Sequence, residues 1–458
     1  MNKIKIEHYK KQYGGLLAFL VIELLIFTSL NLANYGILFR YLSIILVAAL
    51  IPITMLKYRQ EDWLNVALAF VLPLAAYGAF MAFSPLYLVL QTVVDDIVML
   101  LSLVAFLLIG VSMAQNEEFK IEKGLAAIVG GLAVLLAIGL VYTIWRYTFF
   151  YVLRFDGMNL YYDGEAYLIS NEAKWLFGFE FHEVKLAFFA NYGIFLSPLL
   201  LGLLFVDFKH LKKLDFVWIA AGALGVLSLL LLPDFGAFKF VIPAVIIAAA
   251  VRFLPNNPLT KKVIFYGSVV AGVLFSLAAL FLLLYAFEVP FAANLVTNNA
   301  IFNRVFGNSI VQGYAEVIQA SIQHPFGGLH SVIVNANFIE STRSSFFDTL
   351  YQGGIVATLG YLAFMVCAGI YLVRYYRQSQ DPRHIKIILI LFVATHVFTS
   401  LFRYEYAPFV RENQRIYKIP FFSDLLTLLD VFLVGYAYHQ GQPSKQNKSE
   451  AVLASPAI

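Results

Sequence analysis

One cysteine, Cys367, stands in 458 residues, and it lies inside an apolar run. A disulfide framework and a cysteine-based metal site within one chain are therefore excluded. Charge is scarce as well: Asp, Glu, Lys and Arg make up 13% of the chain, about half the share of an average soluble domain. Water is not the main solvent of such a sequence. The net charge is only +4, and no Lys/Arg tract is dense enough for nucleic acid. There is no Walker A loop, no Gly-x-Ser-x-Gly and no His-Glu-x-x-His, so ATPase, serine hydrolase and zinc hydrolase chemistry lack their parts. The pair Asp95-Asp96 is the nearest approach to an acidic metal site, but no third carboxylate stands near it in sequence. Neither a cofactor nor a resident metal is expected.

What the chain has in abundance is apolar length. Hydrophobic residues make up 61%, in runs of about 17–25 residues, the length at which a helix crosses a hydrocarbon core. A barrel would show short alternating segments instead, and lipid allows no third solution. The sequence predicts an all-α polytopic membrane protein of about twelve transmembrane helices. The spans fall near 14–30, 36–56, 63–82, 97–113, 124–144, 186–206, 216–232, 239–254, 263–287, 354–373, 385–402 and 424–438. The first run lacks a small-residue cleavage site, so it is expected to stay as the first membrane helix.

Orientation follows from where the basic residues gather. Lys3, Lys5, Lys10 and Lys11 share a side with Lys57/Arg59, Lys120/Lys123, Lys209/Lys212/Lys213, Arg252/Lys261/Lys262, Arg374/Arg377/Arg383/Lys386 and Lys445/Lys448. By the positive-inside rule that side is cytoplasmic, with both termini inside. Helices one to nine then occupy 1–287, with an external loop at 145–185. A large external loop at 288–353 separates helices nine and ten. Helices ten to twelve fill 354–438, and a polar tail at 439–458 is expected to be disordered.

External loops of this length are usually functional, and these hold cations where the topology does not ask for them. Arg146, Arg154, Lys174, Lys185, Lys239, Arg304, Arg343, Arg403, Arg411, Arg415 and Lys418 all fall there. Guanidinium groups hold phosphate through paired donors of fixed geometry, so such a set suits a lipid diphosphate head group. The competing reading is ordinary ion pairing with neighbours such as Asp156, Asp163, Glu340 or Glu412. Arg304 begins a helix-like stretch to Gln323 that runs into His324-Pro325-Phe-Gly327-Gly328. His330 follows as a loop base or a backbone-bonded histidine. Asp348 sits just before the tenth helix, where a carboxylate must be paired, here with Arg343, or face a wet cavity in which it could act on a sugar hydroxyl. Lys239 is either a phosphate ligand or a snorkelling lysine. Tyr147, Tyr151, Tyr161, Tyr162, Tyr167 and Trp175 fit sugar stacking or an interfacial aromatic belt. Within the spans, ionisable residues are few, Glu23 and Asp430 being the main exceptions.

The sequence from Arg304 through Gln319-Ala-Ser-Ile-Gln-His324-Pro325-Phe-Gly327-Gly328 to Ser345-Phe-Phe-Asp348-Thr-Leu-Tyr-Gln-Gly-Gly354 resembles the O-antigen ligase/polymerase superfamily, which includes the Wzy-type repeat-unit polymerases. The likeness covers about the last third of the chain as motif and the rest as topology. It implies a GT-C-like fold and a metal-independent glycosyltransferase of the cytoplasmic membrane of a bacterium. Such an enzyme polymerises undecaprenyl-diphosphate-linked oligosaccharides for capsule, exopolysaccharide or O-antigen at the outer face. The implied partners are the lipid-linked substrate, the bilayer, and a flippase and chain-length regulator of the same pathway. Arg304, with Arg154 and Lys239, would hold the diphosphate, while Asp348, His330 and Arg343 would serve catalysis. The chain departs from ligases in having Arg343-Ser344 where they carry a His-Asn pair, which favours polymerase. The alternatives are a ligase-type glycan transferase and a lipid-linked oligosaccharide flippase.

Overall fold

The computed structural model describes residues 63–84, 90–115, 119–149, 153–156, 159–162, 199–231, 235–253, 257–328, 332–334, 337–339, 344–402 and 420–442. Every expected span that falls wholly among these residues is helical, and the end of the 186–206 span is helical at 199–203. The spans at 14–30 and 36–56 lie outside the described residues. Among the described residues three helices are long and apolar enough to cross a membrane: Leu64–Ala82, Asp96–Ala114 and Ser345–Gln378. A fourth span is present if Ser276–Ala286 and Pro290–Asn298, which bend by 101°, act together.

In chain order, α1 (Trp63–Val66), a π turn (Ala67–Val71) and α2 (Leu72–Ala82) form one continuous rod. The π turn has a local cause. Pro73 gives no N–H and its ring crowds the preceding turn, and the widened turn, with Leu72 N–H donating to Ala67 O, makes room for it. Next come α3 (Leu90–Ala114) and α4 (Ile121–Phe149). Then α5 (Asp215–Leu231), α6 (Phe235–Phe253) and α7 (Pro258–Ala286) follow. Three shorter helices, α8 (Pro290–Asn298), α9 (Ala300–Phe306) and α10 (Ser309–Gln323), cross the space that the sequence assigns to the large loop. The chain closes with α11 (Ser345–Gln378), α12 (Arg383–Phe402) and α13 (Pro420–Gln440).

Among the described residues the fold is helical, as expected, apart from two small antiparallel hairpins. Strands β1 (Leu153–Asp156) and β2 (Asn159–Tyr162) pair Arg154 with Tyr161, and β3 (Val332–Val334) and β4 (Asn337–Ile339) pair Ile333 with Phe338. Both lie in the segments expected to be external loops.

Close backbone approach holds the bundle together, as it must where lipid removes the hydrophobic drive between helices. Gly110 of α3 lies against the backbone of Phe432 and Tyr436 on α13, and Gly435 of α13 lies against Leu107 of α3. A Cβ at either position would collide with main-chain atoms. Gly360 of α11 meets the backbone of Pro73 and Tyr77 on α2 in the same way. Phe70, Tyr371 and Tyr438 fill the centre, with ring centroids 5.4 and 5.6 Å from Phe70. These buried residues belong to one continuous core.

One end of the bundle is marked by charge. The fields of Glu122, Lys212, Arg252 and Asp215 all reach His384, the residue just before the 385–402 span. Segments that the positive-inside pattern puts on one side therefore meet at one end. At that end Asp381 Oδ2 accepts hydrogen bonds from Tyr375 (2.8 Å), Ser379 Oγ (3.0 Å) and Tyr436 (3.2 Å). The same corner has Lys386 Nζ donating to the Ser379 carbonyl. The turn from α11 to α12 is thus fastened to α13.

Candidate functional site

The tenth predicted span does not start at 354. Helix α11 begins at Ser345 and is broken at Gly354, whose φ of 78° and ψ of −172° are non-helical. That conformation is open to glycine and costly for any residue with a Cβ. The sequence placed the membrane boundary at the break because residues 345–353 are too polar to read as a span.

The polarity has an order. Ser345, Asp348, Thr349 and Gln352 follow the i, i+3, i+4, i+7 spacing of one helical face, and all are buried, at 0%, 0%, 0% and 1% exposure. Buried, the stripe faces protein rather than water. Ser345 Oγ and Tyr361 Oη stand 3.0 Å apart, and Gln352 Nε2 donates to Tyr351 Oη at 3.0 Å. Thr349 Oγ1 has no hydrogen-bond partner among the described residues. The opposite face of the same turns meets α10, with Tyr314 stacked on Phe347 at 4.3 Å and Val317 packed with Tyr351.

The break is closed by the other half of the sequence motif. After α10 the chain turns at His324-Pro325-Phe326 into Gly327 and Gly328, with φ of 74° and 86°. Gly328 N–H donates to Gln352 O (2.9 Å), Ile355 N–H donates to Pro325 O (2.8 Å), and Ser84 Oγ donates to Gln352 O (2.6 Å). Thr358 Oγ1 donates to Gly354 O at 2.9 Å. The backbone groups freed by the kink thus find partners inside the protein, the condition for a broken helix at membrane depth. Gly327 and Gly354 are also mutual steric requirements, since a Cβ on either would run into the other's backbone.

Of the residues singled out from sequence, Asp348 is placed in this stripe. Arg304 is exposed, but in the last turn of α9 rather than at the start of a long helix. Gly307 ends α9 and Asn308 caps α10 through Val311 N–H at 3.0 Å. The continuous helix expected from Arg304 to Gln323 is therefore two. Arg304 makes no ion pair with a described residue, which removes local neutralisation by those residues. Its place does answer the negative end of the α9 dipole, worth about 0.3–1 kcal/mol. Arg154 lies on β1 opposite Tyr161, and Lys239 lies on α6. His330 and Arg343 lie outside the described residues. Among the described residues no group of three His, Cys, Asp or Glu side chains could hold a metal.

A site that the sequence showed only in part lies deeper. His396 of α12 and Asp430 of α13 are directly bonded, Nδ1 to Oδ2, with side-chain exposures of 5% and 8%. Asp430 stood out as a charge inside a span; His396 did not. The signal available was that two ionisable residues in neighbouring apolar spans each need a partner.

No protein-family model and no curated protein matches the chain. The likeness to the polymerase superfamily thus rests on the residues quoted for it.

Proposed function

We propose that this protein is a membrane glycosyltransferase that polymerises lipid-diphosphate-linked oligosaccharide repeat units without a metal ion. The finer architecture belongs to the same proposal: about twelve spans in a GT-C-like arrangement, both termini in the cytoplasm, and the reaction at the outer face. The observation that carries the reading is the junction of Gly327-Gly328 with Gln352 and Gly354. The two separated halves of the quoted motif form one object, and the helix that bears Arg304 leads into it.

In this reading Arg304 holds the diphosphate, whose departure from the anomeric carbon needs charge stabilisation and no ATP. Arg154 and Lys239 add positive charge to the same head group. Asp348, with His330 and Arg343, serves the acceptor hydroxyl. Burial of Asp348 inside a polar stripe supports a carboxylate held in a fixed place by its surroundings.

The test is polymerisation in proteoliposomes supplied with a lipid-diphosphate-linked repeat unit. Wild type is expected to give a ladder of lengths. Arg304→Ala is expected to abolish long products while the protein stays in the membrane, and Arg304→Lys to retain a fraction, because an ammonium cannot reproduce the paired donors. Unchanged chain lengths in Arg304→Ala would falsify the assignment. A single transfer without a ladder would mark a ligase. The transporter reading has one observation of its own, the buried His396–Asp430 pair, and predicts substrate movement without product.

A further inference from the structure

We propose that His396 and Asp430, with the cavity they line, form a buried proton-binding site. The cavity measures about 60 Å³ and is bounded by α2, α3, α11, α12 and α13, with Tyr77, Tyr361, His396, Thr427 and Asp430 as its polar residues. At roughly 10–15 Å³ per water on this kind of measure, it has room for a few water molecules. The rest of the wall is apolar, from Leu74 and Leu103 to Val434.

Three observations converge. First, the pair sits far from either end of its helices: Asp430 is ten residues into α13 (430 − 420), about 15 Å along the axis. An ionisable pair at such depth stabilises less than two well-packed apolar side chains would, so packing does not account for it. Second, Asp430 Oδ1 is buried and has no hydrogen-bond partner among the described residues, although Oδ2 is taken by His396. Third, the space beside the pair is large enough for water.

The ligand follows from the donors. A hard metal cation asks for about six oxygen ligands, whereas Asp430 is the only carboxylate on this wall, beside three hydroxyls and an imidazole. A proton needs one lone pair. It arrives as hydronium, leaves water behind, and resides on Oδ1 of Asp430, while Nδ1–H of His396 goes on donating to Oδ2; release returns it to water. With a neutral imidazole and a carboxylate the pair carries one negative charge, and with the proton it carries none. The groups facing it are Tyr77 from α2 and Tyr361 from α11, and α3 presents Leu103. Asp96 lies seven residues before Leu103 on α3 (103 − 96), about 10 Å away along the axis. Helix α6 packs on another face of α12, through Ala244 and Ala248 against Ile387 and Leu391. No Lys or Arg lines the cavity. Tyr361 also reaches Ser345 at the head of α11, so the occupied and empty states differ in charge next to the polar stripe. This proposal does not depend on glycosyl transfer.

The experiment is infrared spectroscopy of the full-length protein in lipid nanodiscs, with aspartate labelled by carbon-13 at the side-chain carboxyl. Wild type is expected to show a protonated-carboxyl band that grows as pH is lowered and is shifted by the label. In Asp430→Glu, which keeps a carboxyl of nearly the same reach, the band is expected to lose its label sensitivity, because glutamate is unlabelled. In His396→Gln it should titrate at a different pH. The proposal is overturned if no labelled band titrates in wild type while the protein is folded. It is equally overturned if the labelled band persists unchanged in Asp430→Glu.

Discussion

Gly354 shows how much one residue can be asked to do. Its positive φ, the approach of Pro325 and Gly327, and the hydrogen bond from Thr358 all depend on a missing Cβ. Gly354→Ala is expected to destabilise the protein by about 1–3 kcal/mol from backbone strain alone, read as a lower thermal unfolding midpoint in detergent. Gly369, on the same helix with open space around its Cβ position, is the control; Gly369→Ala should leave the midpoint unchanged or raise it. His384 gives a prediction in pH. Burial, the main cause, holds its imidazole below the usual value, so as pH falls below about 6.5 the unfolded chain takes the proton first. Stability should therefore drop on the acid side, and His384→Gln should make that drop shallower. Several such residues could be named from the sequence but not joined. The glycines at 327–328 and 353–354 were visible as a motif, whereas their mutual contact follows from the fold alone. His396 was hidden because one histidine in an apolar helix has no periodicity to betray it.

At the scale of elements, helix positions were legible because apolar length is a strong signal, and helix breaks were less so. Gly307-Asn308 is a stop followed by an N-cap, overlooked because the flanking apolar spacing continues across it. The start of α11 was missed for the opposite reason: hydropathy rejects Ser345, Asp348 and Gln352, yet their shared face is buried inside the protein. The crossing of α3 and α13 gives a test of this scale. Gly435→Val puts a branched side chain against the Leu107 carbonyl and should force the two helices apart. Disulfide trapping between cysteines introduced at Ala114 and Gln440, where Gln440 Nε2 donates to Ala114 O at 2.9 Å, in a Cys367→Ala background, should then become slower or be lost relative to the same pair with Gly435 intact. Trapping at an unchanged rate would mean that the crossing is not set by close backbone approach.

For the molecule as a whole, composition announced the apolar helices, and the proposed sides rest on the basic residues. The spread of charges around His384 agrees with that division at one end. A membrane-impermeant maleimide applied to intact cells of a Cys367→Ala strain should label Asn303→Cys on α9. It should label Lys212→Cys, beside His384, only after the membrane is opened. Equal labelling of both before lysis would put the two ends on the same side and undo the topology. What the sequence could not supply was the number of spans that the bundle uses, because α7 and α8 meet at 101° and a hydropathy trace records length, not direction.

The junction between Gly328 and Gln352 also bears on how the chain is made. Ribosomes deliver α10 and its two glycines before residues 345–353 emerge. A segment that carries a carboxylate and three other polar side chains is a poor candidate for insertion on its own merits. It meets a waiting surface instead, already shaped to receive it, so synthesis order and the final architecture run in the same direction.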